Sequence, residues 1–377
     1  MTAQLQAKPR YEILDGLRGV AAMVVLLYHH CEIYGGMSGN FIAHGHLAVD
    51  FFFILSGYVI GYAYDSRWGR GLSIWGFFKR RLIRLHPILV LGIALGVALF
   101  YFGAGDVCPL IAGTPAWKLL GVAVLMCFMV PIPSAWDVRG WGEFCPVNGN
   151  SWSLYWEYFA NILYVLVIRR FSAKVLGVFV AASAFLTLNL ALNWDVFGTL
   201  GDRAKETFTL VGGWSPNVQH ATIGLSRLLF PFFAGLLLSR LGAKIKMPRG
   251  AFWWSSLALT AVLVMPNFRG VANGIYEAVS VLVLFPLIVM MGAGGVVTGR
   301  SSGVCKWLGE ISYPLYLIQQ PIVFTLLWGW VAAHPEATLG QTLVINIGTF
   351  FLSIFASQAA LRLYDTPLRK WLTAKWK

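Results

Sequence analysis

The chain has 377 residues, of which 58% are hydrophobic and only 12% are charged. A soluble domain carries roughly 25% charged residues, so the composition excludes an ordinary soluble enzyme. The net charge of +13 does not indicate nucleic-acid binding, because the basic residues stand in short clusters between long apolar blocks, as the positive-inside rule predicts for a membrane protein.

The apolar blocks predict an all-α, polytopic transmembrane helix bundle with about ten spans. The predicted spans are 12–33, 47–65, 82–103, 151–168, 172–193, 224–241, 251–267, 273–292, 308–330 and 339–362. When Lys8 and Arg10 are placed in the cytoplasm, the cationic connections also fall inside, and both termini are cytoplasmic. The block 117–132 breaks this alternation, so we expect a re-entrant or interfacial helix there, with eleven spans as the alternative.

The chain reads as a single transmembrane domain, 1–377, with one long external loop at about 194–222. The polar N-terminus argues against a cleavable signal peptide, and we expect integral insertion in a bacterial inner membrane. Cys108 and Cys145 both fall on the outer side, where the sequence allows either a disulfide between them or two free thiols. No Cys/His spacing indicates a metal site, and a homo-oligomer is also left open.

The first span carries charges that a membrane helix does not need. Arg18 and His29 are eleven residues apart, which places them within ~20° of each other on a helix, and Asp15 lies on the same side. His30 is turned away by about 100°. An ionisable group in a span is a hypothesis for a functional site, and a neutral imidazole can take a hydroxyl proton. The alternative is an Asp15–Arg18 capping pair with an interfacial histidine.

Two more carboxylates stand within spans. Asp50 begins the second span, either as a carboxylate favoured by the helix dipole or as a partner that orients His29. Glu157 lies inside an apolar, aromatic helix and needs a buried partner, for which Arg227 is a candidate. The Ser56-Gly57 pair indicates close helix packing rather than a nucleophile, because no G-x-S-x-G motif occurs.

Cations cluster where the third span begins: Lys79, Arg80, Arg81, Arg84 and His86. Arg81 and Arg84 share a helix face, and arginine forks bind phosphate in bidentate fashion. A plain positive-inside cluster is the alternative. Further along, Tyr313, Tyr316 and Gln319 share a helix with two prolines, which indicates a lined cavity at membrane depth.

Five segments in order resemble the acyltransferase-3 family over about residues 10–365: LDGLRGVAAMVVLLYHH, AVDFFFILSGYVI, FFKRRLIRLHP, SWSLYWEYF and LGEISYPLYLIQQP. The resemblance implies a membrane enzyme that moves acyl groups, commonly acetyl from acetyl-CoA, to sugars of envelope polysaccharides, lipid-linked glycans or antibiotics. It matches the family's Arg and His to Arg18 and His29. Gln319 stands where the family often has His, and Gln cannot carry a proton at neutral pH.

Residues and resemblance together predict an O-acyltransferase in contact with membrane lipid, an acyl-CoA donor and a glycan or small-molecule acceptor. The donor's nucleotide is expected on Arg81 and Arg84, with Lys79 and Arg80 adding charge. His29 is expected to deprotonate the acceptor hydroxyl or to carry the acyl group. The predicted supporting residues are Asp50 or Glu157 to orient the imidazole, Arg18 to hold the donor or to steady Asp15 in the catalytic site, and Tyr313, Tyr316 and Gln319 along the donor path. A transporter or flippase is the rival function.

Overall fold

The computed structural model describes residues 10–35, 41–103, 105–203, 207–247, 249–297 and 299–376. Helices make up most of these residues, and no β-strand occurs among them. The all-α expectation is therefore confirmed. Lys8 and the outermost ends of the predicted 1–377 domain lie outside the described residues.

The helices follow one another along the chain with short connections. They are α1 (Glu12–Gly35), α2 (Ala48–Tyr64), α3 (Ile74–Gly103), α4 (Ala116–Cys127), α5 (Ser151–Leu166), α6 (Ala173–Ala191), α7 (Val218–Arg240), α8 (Ala251–Val264), α9 (Val271–Gly294), α10 (Arg300–Ala333) and α11 (Leu339–Lys375). Within the described residues, seven helical segments are long and apolar enough to cross a membrane: α2 with its flanking turns, α3, α6, α7, α9, α10 and α11. The chain is thus an integral membrane protein.

Several helices extend past the predicted spans. α10 begins at Arg300 rather than at 308, and α11 continues to Lys375 rather than ending at 362. α7 begins at Val218, so the predicted external loop 194–222 ends earlier than expected. The reason is common to all three, because hydropathy locates only the apolar part of a helix, whereas helical backbone hydrogen bonding continues into its polar ends.

Two apolar helices are shorter than an ordinary span. α4 occupies part of the exceptional block 117–132, and its 12 residues cover about 18 Å, against the ~30 Å of a hydrocarbon core. It packs against α3. α8, expected as the span 251–267, has only 14 residues. Length alone therefore does not make either helix a full crossing.

Glycines allow α2 and α7 to approach each other closely. A Cβ on Gly57 of α2 would lie 1.7 Å from the carbonyl oxygen of Phe232 in α7, and a Cβ on Gly235 would lie 2.0 Å from that of Ile54. The Ser56-Gly57 pair is therefore a packing position, as in other small-residue membrane interfaces. α1 packs along α10 in a similar way. Charges on these four helices are consequently held inside the bundle.

A non-helical segment, 145–150, packs against the proline-containing part of α10. Pro321 has no N–H, so the carbonyl of Leu317 loses its helical partner and instead accepts from Nδ2 of Asn148 at 2.8 Å. Asn150 Nδ2 donates to the carbonyl of Tyr316 at 2.6 Å. Cys145, at the start of this segment, and Cys108 are both buried free thiols, so the disulfide alternative is not realised in the structure.

Candidate active site

The first of two cavities, here the basic cavity, has a volume of about 1280 Å³. Its wall contains more cations than carboxylates. The cations are Arg10, Arg18, Arg67, Arg80, Arg81, Arg84, Lys306, Arg369 and Lys370, and the carboxylates are Glu12, Asp15, Glu157, Glu310 and Asp365. Helices from both ends of the chain build it, since α1, α3, α10 and α11 all contribute. A wall of this kind suits a ligand that carries several negative charges.

Ion pairs hold three of the carboxylates in this wall: Asp15, Glu157 and Asp365. Arg18 pairs with Asp15 at 2.9 Å, and Arg81 pairs with Glu157. The hydroxyl of Ser56 also donates to Glu157, at 3.0 Å. The buried partner that Glu157 needs is therefore Arg81, which is 4% exposed, and not Arg227.

The other members of the predicted cation cluster differ in position. Arg84 lines the basic cavity and forms no ion pair within the part of the chain that the structure describes. Arg80 also lines it and donates to the carbonyl of Gly76 at 3.0 Å. Lys79 lies outside this wall, with its ammonium 5.8 Å from a ring centroid of Trp376. Only part of the cluster can therefore contact a ligand in the basic cavity.

The second cavity, here the aromatic cavity, has a volume of about 430 Å³. Its aromatic wall residues are Tyr28, Trp141, Trp152, Trp214, Tyr316, Phe324 and Trp328, and its polar ones are His29, Glu32, His46, Glu143, Asn150, Arg227 and Gln320. Such a lining combines flat apolar faces with hydrogen-bonding groups of both kinds.

His29 and His30 diverge as their helical spacing predicts. His29 lines the aromatic cavity, and its Nδ1 lies 3.0 Å from Nε2 and 3.3 Å from Oε1 of Gln319. His30 is buried on another face of α1, where Nδ1 contacts the carbonyl of Leu26 at 2.8 Å and Nε2 lies 3.3 Å from the hydroxyl of Thr349. Gln319, expected along the donor path, thus contacts the imidazole and does not line the basic cavity.

Asp50 has a different partner from the one the sequence suggested. Arg227 donates to it from Nη2 at 2.7 Å and from Nε at 3.3 and 3.4 Å, and both side chains are fully buried. The expected contact from Asp50 or Glu157 to His29 is therefore absent among the described residues. The physical reason is that a buried carboxylate is stabilised more by a charged guanidinium fork than by a neutral imidazole.

The two cavities meet at a thin wall. Val49 and Tyr316 line both of them. The hydroxyl of Tyr316 shares a 2.7 Å hydrogen bond with Ser153, and its ring packs edge to face on Phe52 at 5.4 Å. Tyr313, one turn earlier on α10, lines only the basic cavity and donates to the carbonyl of Leu85 at 2.6 Å. Arg81 and Arg84 therefore lie in one cavity, and His29 lies in a neighbouring but distinct one.

Sequence reasoning missed most of the aromatic cavity. Trp141 and Glu143 come from the connection between α4 and α5, Trp214 comes from the loop before α7, and His46 comes from the short turn before α2. Burial raises the pKa of the Glu143 carboxyl, and the Arg139 guanidinium that pairs with it counteracts this in part. A possible signal was the run WGEFCPVNGN, which is aromatic and asparagine-rich but has no helical period.

This fold and these cavities define a class of membrane enzyme. The chain matches the acyltransferase-3 family, described as an acyltransferase domain, over residues 11–360, and it therefore belongs to that family. The match covers nearly the whole chain, as the five sequence segments indicated. Within the described residues, no cluster of three or more His, Cys, Asp or Glu side chains could hold a metal ion.

Individual relatives carry narrower names. The chain is 32% identical to "Protein 2 in picA locus" of Rhizobium radiobacter, over 48% of this chain and 93% of that protein. It is 25% identical to "O-acetyltransferase OatA" of Staphylococcus aureus NCTC 8325, over 96% of this chain and 58% of OatA. A putative O-acetyltransferase of S. aureus COL is 23% identical over 95% of this chain and 57% of its own length. The chain thus spans less than two thirds of these O-acetyltransferases, and no solved structure matches it.

Proposed function

We propose that this protein is an O-acyltransferase that moves an acyl group, namely acetyl, from acyl-CoA to a sugar hydroxyl of an envelope polysaccharide, a lipid-linked glycan or a glycosylated small molecule. One observation carries the proposal: a single helix bundle holds a basic and an aromatic cavity that share Val49 and Tyr316. Two substrates of opposite character can therefore approach one point from different sides.

The basic cavity is the proposed donor site. Coenzyme A carries a diphosphate and a 3′-phosphate, and arginine forks recognise such groups well. Arg84 is the strongest candidate, because it lines the cavity without an ion-pair partner among the described residues. With the termini in the cytoplasm of a bacterial cell, as the positive-inside rule favours, this cavity faces the cytoplasmic pool of acyl-CoA.

The aromatic cavity is the proposed acceptor site. Tryptophan faces offer apolar contact to the C–H surfaces of a sugar ring, and Glu32, Glu143 and Asn150 can hydrogen-bond its hydroxyls. The name O-acetyltransferase, carried by relatives that this chain matches over 95% or more of its length, supports hydroxyl oxygen as the acceptor atom and acetyl as the group moved.

Transfer would take place where the two cavities meet. The thioester comes from the basic cavity past Tyr313, and the hydroxyl comes from the aromatic cavity, so the reactants meet beside Val49 and Tyr316. His29 lines the acceptor side and takes part in the transfer there. Holding both reactants at one point makes the reaction effectively intramolecular.

The deciding experiment compares His29→Ala with His30→Ala, a neighbouring histidine that lines neither cavity. Membrane vesicles that contain each protein at matched levels receive [¹⁴C]acetyl-CoA, and the glycan fraction is analysed for label and for a gain of acetyl mass. We expect His29→Ala to lower transfer by about 10²–10⁴-fold, whereas His30→Ala keeps most of it.

Two results would contradict the proposal. Equal transfer in both variants would remove His29 from the reaction. Movement of a glycan across the vesicle membrane without any gain of acetyl mass would instead support the transporter or flippase.

A further inference from the structure

A second imidazole, that of His46, faces the aromatic cavity. His46 lies in the short turn Gly45–Leu47 just before α2, and its side chain is 8% exposed. Val49, three residues later, belongs to the wall that the two cavities share. His46 therefore stands about one helical turn from the point where donor and acceptor meet.

A fixed carboxylate lies behind this imidazole. Nε2 of His46 is 3.4 Å from Oε1 of Glu277, whose side chain is 1% exposed. The hydroxyl of Thr209 donates to both oxygens of Glu277, at 2.9 and 3.0 Å, and Nδ2 of Asn273 donates at 3.0 Å. The separation of 3.4 Å is that of an ion pair rather than of an aligned hydrogen bond, and such contacts commonly tighten when substrate binds.

The partners of the two imidazoles favour different tautomers. Nδ1 of His29 lies 3.0 Å from Nε2 and 3.3 Å from Oε1 of Gln319, and we assign the nearer amide N–H as the donor, which places the proton of His29 on its own Nε2. A carboxylate only accepts, so Glu277 favours a proton on Nε2 of His46 and leaves Nδ1 with a lone pair. In these tautomers His29 carries a hydrogen-bond donor, and His46 carries the lone pair of a base.

The surrounding charges support the same roles, with His46 as the base and His29 as the hydrogen-bond donor. Glu277 can stabilise the imidazolium that forms when His46 accepts a proton, whereas the neutral amide of Gln319 gives His29 no such support. The other charged pair nearby, Asp50 with Arg227, neutralises itself, although Arg227 also donates to the carbonyl of His46 at 2.8 Å. The remaining titratable neighbours of this network are His44, Tyr28 and Arg203.

His44 resembles His46 in its place beside Glu277 but has no free nitrogen. Its Nε2 lies 3.9 Å from Glu277, its Nδ1 contacts the carbonyl of Met265 at 2.8 Å, and Nε2 also contacts Oδ1 of Asn273 at 3.1 Å. It is fully buried and does not line the aromatic cavity. His44 therefore belongs to the network that holds Glu277, but it offers no base to the aromatic cavity.

We propose that His46, oriented by Glu277, is the base of this reaction and that His29 donates its N–H to the acyl carbonyl oxygen; this rests on the proposed acyl transfer. The hydroxyl oxygen forms the new bond to the acyl carbon with its lone pair while its proton passes to Nδ1 of His46. The C–S bond then breaks, its electron pair leaves on sulfur, and the proton moves from His46 to that thiolate. Ester and free thiol are the products, and both histidines return to their starting state.

The test measures kcat and KM for protein in nanodiscs, with [¹⁴C]acetyl-CoA and the glycan fraction that takes up label in the vesicle experiment. His46→Gln should lower kcat by about 10²–10⁴-fold with little change in the KM for acetyl-CoA, because His46 lines the aromatic cavity and not the basic cavity. Glu277→Gln should lower kcat by a smaller factor at an unchanged KM, since the imidazolium loses its stabilising charge.

The controls separate catalysis from structure. His29→Gln should also lower kcat, whereas His30→Gln, at a histidine that lines neither cavity, should keep the wild-type kcat and KM. A kcat near the wild-type value in His46→Gln, or an equally large loss in His30→Gln, would overturn the assignment. If His46→Gln does not fold, folded His46→Gly must regain activity with added imidazole, and failure to do so also overturns it. A wild-type protein that transfers no acetyl group would instead refute the proposed function before any variant is compared.

Discussion

At the scale of single residues, the charges inside the bundle are neutralised in specific pairs. Asp50 with Arg227 and Glu157 with Arg81 join helices that are far apart in the chain. Breaking a buried pair is strongly destabilising, by about 3–5 kcal/mol, because it leaves one charge uncompensated. These pairs therefore hold the bundle around the cavities, whereas a wall cation outside such pairs is free to bind a ligand.

Arg84 is such a cation, which leads to a prediction about donor binding. Arg84→Ala should raise the KM for acetyl-CoA by about tenfold or more, because a hydrogen bond to a charged group is worth about 1.5–3 kcal/mol. The kcat should change little, since the phosphates lie far from the bond that breaks. Steady-state kinetics on purified protein measure both values.

Lys79→Ala is the matched control, because this cation belongs to the same sequence cluster but lies outside the basic cavity. Its KM should equal that of the wild type. A similar rise in KM for both variants would mean that the effect comes from the general positive charge of this surface rather than from a contact of Arg84.

The sequence predicts which residues are out of place in a membrane but not how they pair. Helical periodicity relates Arg18, His29 and His30, because these residues share one helix. It carries no information on Asp50 and Arg227, which are 177 positions apart, since the depth and rotation of two separate helices decide that contact. The expectation that Asp50 orients His29 failed for this reason.

At the scale of elements, α10 depends on a segment outside the helices. Pro321 removes one hydrogen-bond donor from α10, and Asn148 replaces it at the carbonyl of Leu317. The same segment carries Asn150, which lines the aromatic cavity. A non-helical connection thus completes a membrane helix and forms part of the candidate acceptor site.

Asn148→Ala should lower the free energy of unfolding by about 1–3 kcal/mol, because the buried carbonyl of Leu317 would then lack a partner. Thermal unfolding in detergent, followed by circular dichroism, measures the loss. Asn346→Ala is the control, since the Asn346 side chain donates to Tyr34 at an exposed position. Equal melting temperatures for both variants would show that the Asn148 contact contributes little.

Element prediction succeeds for apolar, periodic segments and fails for connections. The long spans could be located because about 20 apolar residues have few alternatives to a membrane helix. The segment 134–150 has no period and a mixed composition, so nothing in its sequence shows that Trp141 and Glu143 face the same cavity as His29. Contacts with other helices determine its path.

At the scale of the whole molecule, the end of the chain returns to its beginning. The last turns of α11 place Arg369 and Lys370 in the wall of the basic cavity, together with Arg10 and Lys306. The side chain of Arg369 is 40% exposed and pairs with Asp365 at 3.1 Å. These cations and the Arg81/Arg84 cluster come from distant parts of the chain but line the same cavity. A ligand with two separated phosphate groups therefore has two basic regions to contact.

The double variant Arg369→Ala/Lys370→Ala should therefore raise the KM for acetyl-CoA by about threefold to tenfold, since each exposed pair is worth about 0–1 kcal/mol. The KM for 3′-dephospho-acetyl-CoA should stay unchanged, because this donor lacks the 3′-phosphate that these cations are expected to contact. Lys375→Ala, on the same helix but outside the cavity wall, should behave as wild type with both donors. An equal rise in KM for both donors would exclude selective contact with the 3′-phosphate.

The wall of Val49 and Tyr316, which the two cavities share, also determines how much work acyl transfer must do against the membrane potential. When aqueous recesses enter a membrane from both faces, the voltage drops mainly across the barrier between them, and each elementary charge that crosses 100 mV costs or releases about 2.3 kcal/mol. An acetyl group has no charge and can pass this barrier without such work. The anionic coenzyme stays behind, so acyl export by this route would proceed at the same rate in energised and in de-energised cells.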